Sequence, residues 1–550
     1  MNMRLTPVLS ITLFLIMISC NPQKTRADLL LTNGKVYTVD SEFSTAEAVA
    51  ISDHRIIAVG TSREILQKYS AAEVVDLHGA FVYPGWIDAH CHFFGYGMNL
   101  NALDLTGTGS VEEIINILLE NRDRYQGSWI TGRGWDQNDW EVQEFPDRYM
   151  LDQYFPDTPI LLRRIDGHAV WVNSAALRIA GVTASSKVEG GMVVLSGGKP
   201  SGILVDNAIE LVASRIPPPT DTDMVVALQQ AEKNCFSVGL TSVYDAGLSK
   251  HVVQIIDSLQ RTGSLKIRMN TMLSPSGENF TYFVEKGPYQ TDHLSVNTVK
   301  LFTDGALGSR GARMIEPYSD DPGNYGLYVT PLDTLEKLCR RAYEHHFAVA
   351  THCIGDGANR ETLRIYASIL GGKNDRRWRI EHAQVIHPDD FHYFGDFNII
   401  PSVQTTHATS DMYWAGQRLG SERIKGAYAY RQLLEQNGWL PNGSDFPVEQ
   451  INPLFGFYAG VVRKDQSGFP EEGFQTENAI TREQAMRAMT IWAARSGFEE
   501  DRKGSIEPGK LADLVITKTD LMSAPDSELF RIRVQRTYSG GELVYDRGEK

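Results

Sequence analysis

Cysteine is scarce in this chain, with five in 550 residues. Cys91, Cys235, Cys339 and Cys353 are too far apart to form a small disulfide framework and read as buried free thiols. Positive charge is in deficit: 53 Lys and Arg face 68 Asp and Glu, a formal net charge of −15. A nucleic-acid binder needs a basic face, so that partner is excluded. Apolar runs near membrane length are missing except at the N-terminus, and no tandem repeat or low-complexity tract is evident. What is there is an ordinary globular composition, 42% hydrophobic with mean hydropathy −0.26. The length suits one large domain and one or two lesser ones.

The N-terminal run follows Arg4. Leu5 to Ile18 is apolar apart from Thr6, Pro7, Ser10 and Thr12. It is too short and too punctuated to span a bilayer, so residues 1–19 read as a secretory signal. Ser19-Cys20 directly after the run resembles a bacterial lipoprotein signal. That resemblance implies cleavage before Cys20, a lipid on its sulfur and a membrane tether in the cell envelope, on the periplasmic side. Residues 20–27 are then the lipidated cysteine and a polar linker.

Residues 28–85 alternate β-branched runs with turns. Asn33-Gly34 predicts a hairpin, and Asp53-His54 separates two further runs. The C-terminal end repeats the pattern at 512–516, 534–538 and 542–545. Residues 28–85 and 500–550 therefore read as one small β-sandwich built from both chain ends. Between them, strand and helix signals alternate, which predicts a parallel α/β sheet. Candidate strands end at His92, Asp245, Leu273, Phe302, His352, His382, Val403 and Asp445, the last being the least strand-like. Eight such units predict a TIM-like (β/α)₈ barrel over residues 86–99 and 223–499. About 145 residues separate its first two strands, far beyond an ordinary connection. Residues 100–222 therefore form an inserted subdomain at the catalytic face, placed to act as a lid or substrate wall.

The stretch Phe81 to His92 organises the rest. It reads as a buried strand ending in His-x-His, and residues two apart on a strand share a face. His90 and His92 thus offer two imidazoles to one point, as a metal requires. Other predicted strand ends carry Lys300, His352, His382 and Asp445. Each is ordinary alone, since a strand-end histidine is usually a bonded core residue and an aspartate can cap a helix. Together they fall where a barrel places its active site.

These residues lie in longer motifs: 84–92, 299–309, 352–358, 379–384, 443–448 and 504–514, with Gly134-Trp135-Asp136 and 167–173 in the insertion. On them the chain resembles the amidohydrolase superfamily, and within it the amidohydrolase-3 branch that includes N-substituted formamide deformylase-like and YtcJ-like proteins. The resemblance implies two divalent metal ions, zinc being favoured by the N/O ligands. His90, His92 and Asp445 would hold one, His352 and His382 the other, and Lys300 would bridge them as N6-carboxylysine. An ammonium has no lone pair to give a cation, whereas its carbamate has two oxygens. The other reading of Lys300 is an ordinary cation beside a single metal.

The resemblance further implies hydrolysis of a small-molecule amide, of N-formyl or N-acyl type, by a hydroxide held between the metals. Asp445 would be the general acid/base. Trp135, His168 and Arg310 are candidates for the substrate side. Two alternatives stand beside this one: an esterase or lactonase on the same site, or an envelope-tethered binding protein whose site is vestigial.

Overall fold

The alternating signals in the middle of the chain resolve into seven parallel strands. They are β1 (Trp86–Cys91), β2 (Leu240–Leu248), β3 (Arg268–Leu273), β4 (Leu294–Phe302), β5 (Ala348–Cys353), β6 (Arg379–His382) and β7 (Ile400–Ser402). Neighbours pair in chain order from β1 to β7, the winding of a TIM-like barrel. This computed structural model describes residues 24–548, apart from residue 101 and residues 126–128. The expected signal at 1–19 and Cys20 lie outside the described residues.

The eighth strand does not form. Gly438 ends the helix Tyr430–Asn437 in a left-handed conformation, and Pro441 lacks the N–H a ladder needs. Residues 440–446 nevertheless bridge the two barrel edges. Val403 N–H donates to Pro441 O at 3.1 Å, and Asp445 N–H donates to His90 O at 2.8 Å. The approach to β1 is close: a Cβ on Gly443 would sit 2.5 Å from the His90 nitrogen and 2.7 Å from its carbonyl oxygen. Both contacts are backbone and cannot yield cheaply. Gly443→Ala is expected to cost about 1–3 kcal/mol, as overpacking does, seen as a lower denaturant midpoint. An unchanged midpoint would show that the segment closes the barrel loosely.

Ile87, Ala89, Tyr244, Ala246, Met272 and Ala350 of the barrel strands pack together with Ala493 and Ala494 of the helix Ile491–Ser496.

The stretch Phe81 to His92 is two strands rather than the single one expected. Phe81–Pro84 pairs with Lys35–Tyr37 and Leu514–Thr517 in a six-stranded sheet, and the chain enters the barrel at Trp86. A four-stranded sheet of Arg55–Gly60, Ala48–Ser52, Thr25–Thr32 and Tyr69–Asp76 faces it. Leu29, Leu31, Val49, Val82, Leu514 and Ile516 bury the space between, so the sandwich does join both chain ends. Asp53 and His54, both at positive φ, turn the hairpin of 48–60 as expected. Asn33-Gly34 does not make one: Thr25–Thr32 and Lys35–Tyr37 lie in different sheets. A turn signal sets the local bend but not which strand the next segment joins.

The insertion leaves after the helix Phe93–Asn99 and returns through the helix Asp221–Ser237, opened by a Thr220 capping box. Its six-stranded sheet buries apolar residues on both faces. Leu105, Trp135 and Trp171 belong to one cluster, Leu161, Val170 and Leu204 to the other. Cys91, Cys235, Cys339 and Cys353 are all buried free thiols.

Candidate metal centre

Strand alternation and two irregular strand ends build the site. His90 sits near the end of β1, and His92 is the residue before the helix Phe93–Asn99. His90 Nδ1 donates to Glu381 Oε2 at 2.6 Å, and His92 Nδ1 donates to the Ala246 carbonyl at 3.2 Å. A neutral imidazole has one N–H, so each Nε2 keeps a lone pair. Both Nε2 atoms face Asp445 Oδ1, at 3.4 Å from His90 and 3.1 Å from His92. That oxygen is buried and has no hydrogen-bond partner. The three acceptors lie within 4.8 Å of one another. Buried acceptors that converge without a shared proton repel one another, and a cation between them removes the repulsion. The residues present therefore fit a metal ion.

The second pair adjoins the first. Ring centroids are 5.0 Å apart for His90 and His382, and 4.5 Å for His382 and His352. His382 Nδ1 donates to Gln404 Oε1 at 2.6 Å, which leaves Nε2 free. His352 Nε2 lies 3.4 Å from the Gly305 carbonyl, which leaves Nδ1. Burial pushes both imidazoles well below their usual pKa, so they stay neutral, the form that ligates. Lys300 is fully buried, with Nζ 3.3 Å from His90 Nε2. Burial brings its pKa down to about 8, against the pull of Glu381 and Asp445. A neutral amine is thus accessible near neutral pH, and that form reacts with CO₂.

Sequence reasoning passed over Glu381. Burial opposes its charge, but Arg379 and His90 outweigh that and hold its pKa at about 2. Arg379 Nε lies 3.0 Å from its Oε1. A carboxylate behind a ligating histidine fixes the tautomer and raises ligand basicity. The signal was present: Arg379 and Glu381 place opposite charges two apart on a buried strand. Glu381 and His382 are adjacent, so a regular strand would send them to opposite faces. His382 and Ala383 have φ of 73° and 43°, and this bend lets both side chains serve one site. Glu381→Gln is expected to weaken metal binding by about 10–100-fold, read by competition with a chromogenic chelator. His407, stacked 5.9 Å from His382 at the start of the helix His407–Asp411, was also missed; a lone histidine outside any motif gives no warning.

His352, His382 and Asp445 line a cleft of about 660 Å³ together with Arg133, His168 and other residues of the insertion. The sequence matches the amidohydrolase family over residues 73–545.

The chain belongs to the amidohydrolase family.

It is 35% identical to Protein LONG AFTER FAR-RED 3 of Arabidopsis thaliana, over 94% of this chain and 92% of that protein. It is 27% identical to the N-substituted formamide deformylase of Arthrobacter pascens, over 94% of this chain and 98% of that one. Among solved structures, an uncharacterized metal-dependent hydrolase of Pyrococcus horikoshii superposes with a TM-score of 0.74 at 28% identity. The superposition covers 91% of this chain and 99% of that one.

In this amidohydrolase the substrate-side candidates separate. His168 lines the cleft, its ring 4.9 Å from that of His352 and its Nδ1 2.7 Å from Asp206 Oδ1. Trp135 does not reach the cleft. It is fully buried, donates to the Leu162 carbonyl at 2.9 Å and packs against Trp140 and Trp171 in the core of the insertion. Arg310 is also away from the lining, paired with Asp320 at 3.0 Å. Trp135 and Arg310 are therefore withdrawn as substrate contacts: one has its indole N–H satisfied in the core, the other its charge answered outside the cleft.

Proposed function

We propose that this amidohydrolase is a metal-dependent hydrolase of carbon–nitrogen bonds other than peptide bonds, acting on small amides of N-formyl or N-acyl type. The observation that carries the reading is the convergence of His90 Nε2, His92 Nε2 and the unpartnered Asp445 Oδ1 beside a cleft of substrate size. Similarity to a formamide deformylase supports the bond type, and similarity to a metal-dependent hydrolase supports the cofactor.

His90, His92 and Asp445 would hold one divalent ion, zinc by its preference for N/O donors. His352 and His382 would hold a second, with Lys300 as N6-carboxylysine between them. Such ions supply Lewis-acid polarisation of the scissile carbonyl and a water acidic enough to attack near neutral pH. Asp445 takes the proton of the attacking water and returns it to the leaving nitrogen. Burial opposes a charge on His168, but Asp206 outweighs it and raises the pKa. When the ring carries its second proton, Nε2 is a donor for the carbonyl oxygen, where negative charge develops.

The test is metal content by elemental analysis on protein that starts after Cys20, followed by a panel of N-formyl and N-acyl amides with matched esters. A value near two per chain with amide turnover supports the reading. A value near zero that persists after reconstitution sinks it, and preference for the esters moves the function to the alternative bond.

We further propose that the enzyme is tethered to the envelope membrane through a lipid on Cys20. Cys20→Ala should move it from the membrane fraction to the soluble fraction; equal partition of both forms would refute the tether.

A further inference from the structure

Several charges on the cleft wall have partners. Arg164 answers two carboxylates: its Nη1 donates to Asp166 Oδ2 at 2.5 Å, and its Nη2 bonds Asp136. Asp411 accepts from the Tyr428 hydroxyl at 2.8 Å and from Gln384 Nε2 at 3.1 Å. Glu449 accepts from the Ser410 hydroxyl at 2.6 Å. Arg133 is different. Nη2 donates to the Ile165 carbonyl at 2.6 Å, and among the described residues Arg133 has no other hydrogen bond and no ion pair. Its Nε is buried and unsatisfied. A guanidinium that keeps its charge beside the catalytic floor, with donors unspent, costs free energy unless something answers it.

The strand places it there and turns its neighbour away. Arg133 lies on the insertion strand Ile130–Trp135, whose register with Ile160–Arg164 shifts between Arg133 and Trp135. Gly134 carries the bulge at φ 116°, and a Cβ there would meet Thr106 Oγ1 at 2.5 Å. Ile130 and Trp135 are an odd number apart yet both enter the same apolar cluster. The bulge therefore switches the alternation after Arg133 and sends Trp135 into that cluster, while Arg133, before the bulge, keeps the regular alternation opposite Ile130 and lines the cleft. Bulges beside active sites re-aim side chains in this way.

We propose that Arg133 is a specificity-determining residue that binds a carboxylate on the substrate, so that the enzyme takes amides bearing a carboxylate a few bonds from the scissile carbon–nitrogen bond. A planar carboxylate suits the guanidinium fork, and a charge-assisted contact to it is among the stronger hydrogen bonds. This rests on the hydrolase reading above. Its binding arm does not, because that arm requires no turnover.

The test uses the full metal-loaded enzyme and Arg133→Met, which keeps the stem and removes the charge. Probes are the N-acetyl and N-methanesulfonyl derivatives of glycine, leucine and phenylalanine, each as free acid and as carboxamide. The sulfonamides are not hydrolysed, so calorimetry reads recognition alone. Wild type should bind at least one acid about tenfold or more tighter than its carboxamide, the scale of one good polar contact. Arg133→Met should abolish that preference and leave carboxamide binding unchanged. With the N-acetyl pairs, kcat/KM should show the same loss for the acid alone. Equal binding of acid and carboxamide in every pair, including binding of neither, overturns the proposal. An equal loss for both forms in the variant does so too, since it would mark Arg133 as structural. A clear acid preference in binding without turnover of any amide would uphold Arg133 and reject the hydrolysis reading.

Discussion

Asp445→Asn is expected to fold and to lose turnover by about a thousandfold or more, the scale of a lost general acid/base. The substitution is mild for the backbone. Asp445 sits at φ 60°, and asparagine is among the few residues that tolerate the left-handed region. The main-chain bond from its N–H to His90 O at 2.8 Å is retained, and so is the support from Ser444, whose hydroxyl donates to Asp88 Oδ2 at 2.6 Å. What goes is the charge and the proton capacity of the carboxylate facing His90 and His92. Two readouts belong together: circular dichroism with thermal melting for the fold, and kcat on the best amide for the chemistry. A variant with native melting and wild-type kcat would remove Asp445 from catalysis. A variant that fails to fold would mean that its charge mainly holds the segment 440–446 in place.

Removal of the Lys300 amine is expected to have the second large effect. The buried Nζ lies 3.3 Å from His90 Nε2 and 4.9 Å from the centre of the Phe302 ring, so Lys300→Ala leaves a hole of the side chain's shape at the centre of the site. If the lysine serves as a carbamate between two ions, bound metal should fall from two per chain to one or fewer, and kcat should fall with it. Added formate or acetate should then restore part of both, because a small carboxylate can enter the hole and offer the two oxygens the carbamate supplied. An ordinary lysine beside a single ion predicts the opposite pattern: metal content unchanged in the variant and no rescue. Lys300→Met, close in volume, separates the loss of a ligand from the cost of a cavity.

Most of the candidate ligand set could be read from the chain because strand ends obey local rules. His90 and His92 needed only the two-residue period of a strand. A count of strands placed Lys300, His352 and His382 at the catalytic end of the barrel, and the family resemblance supplied their expected roles. The missed residues depend on geometry that no local rule supplies. Glu381 joins His382 on one site because the backbone turns through positive φ at 382 and 383. Trp135 looked like a wall residue from its motif, yet a bulge one residue earlier sends it into the core, while Arg133, just before the bulge, lines the cleft.

By itself the sequence determined what periodicity and residue chemistry can encode: parallel strands alternating with helices, a β-sandwich shared by the two chain ends, a long insertion after the first barrel strand and a set of candidate metal-ligating side chains. Tertiary structure alone decided pairing and aim. It broke the stretch from Phe81 to His92 between two sheets, denied Asn33-Gly34 its hairpin and closed the barrel with irregular chain at 440–446. It also placed the insertion so that His168 stands 4.9 Å from His352. The reason is physical: a residue's period fixes which neighbours it can face, while partners, bulges and strand-end bends are selected by packing and hydrogen bonds between segments distant in the chain.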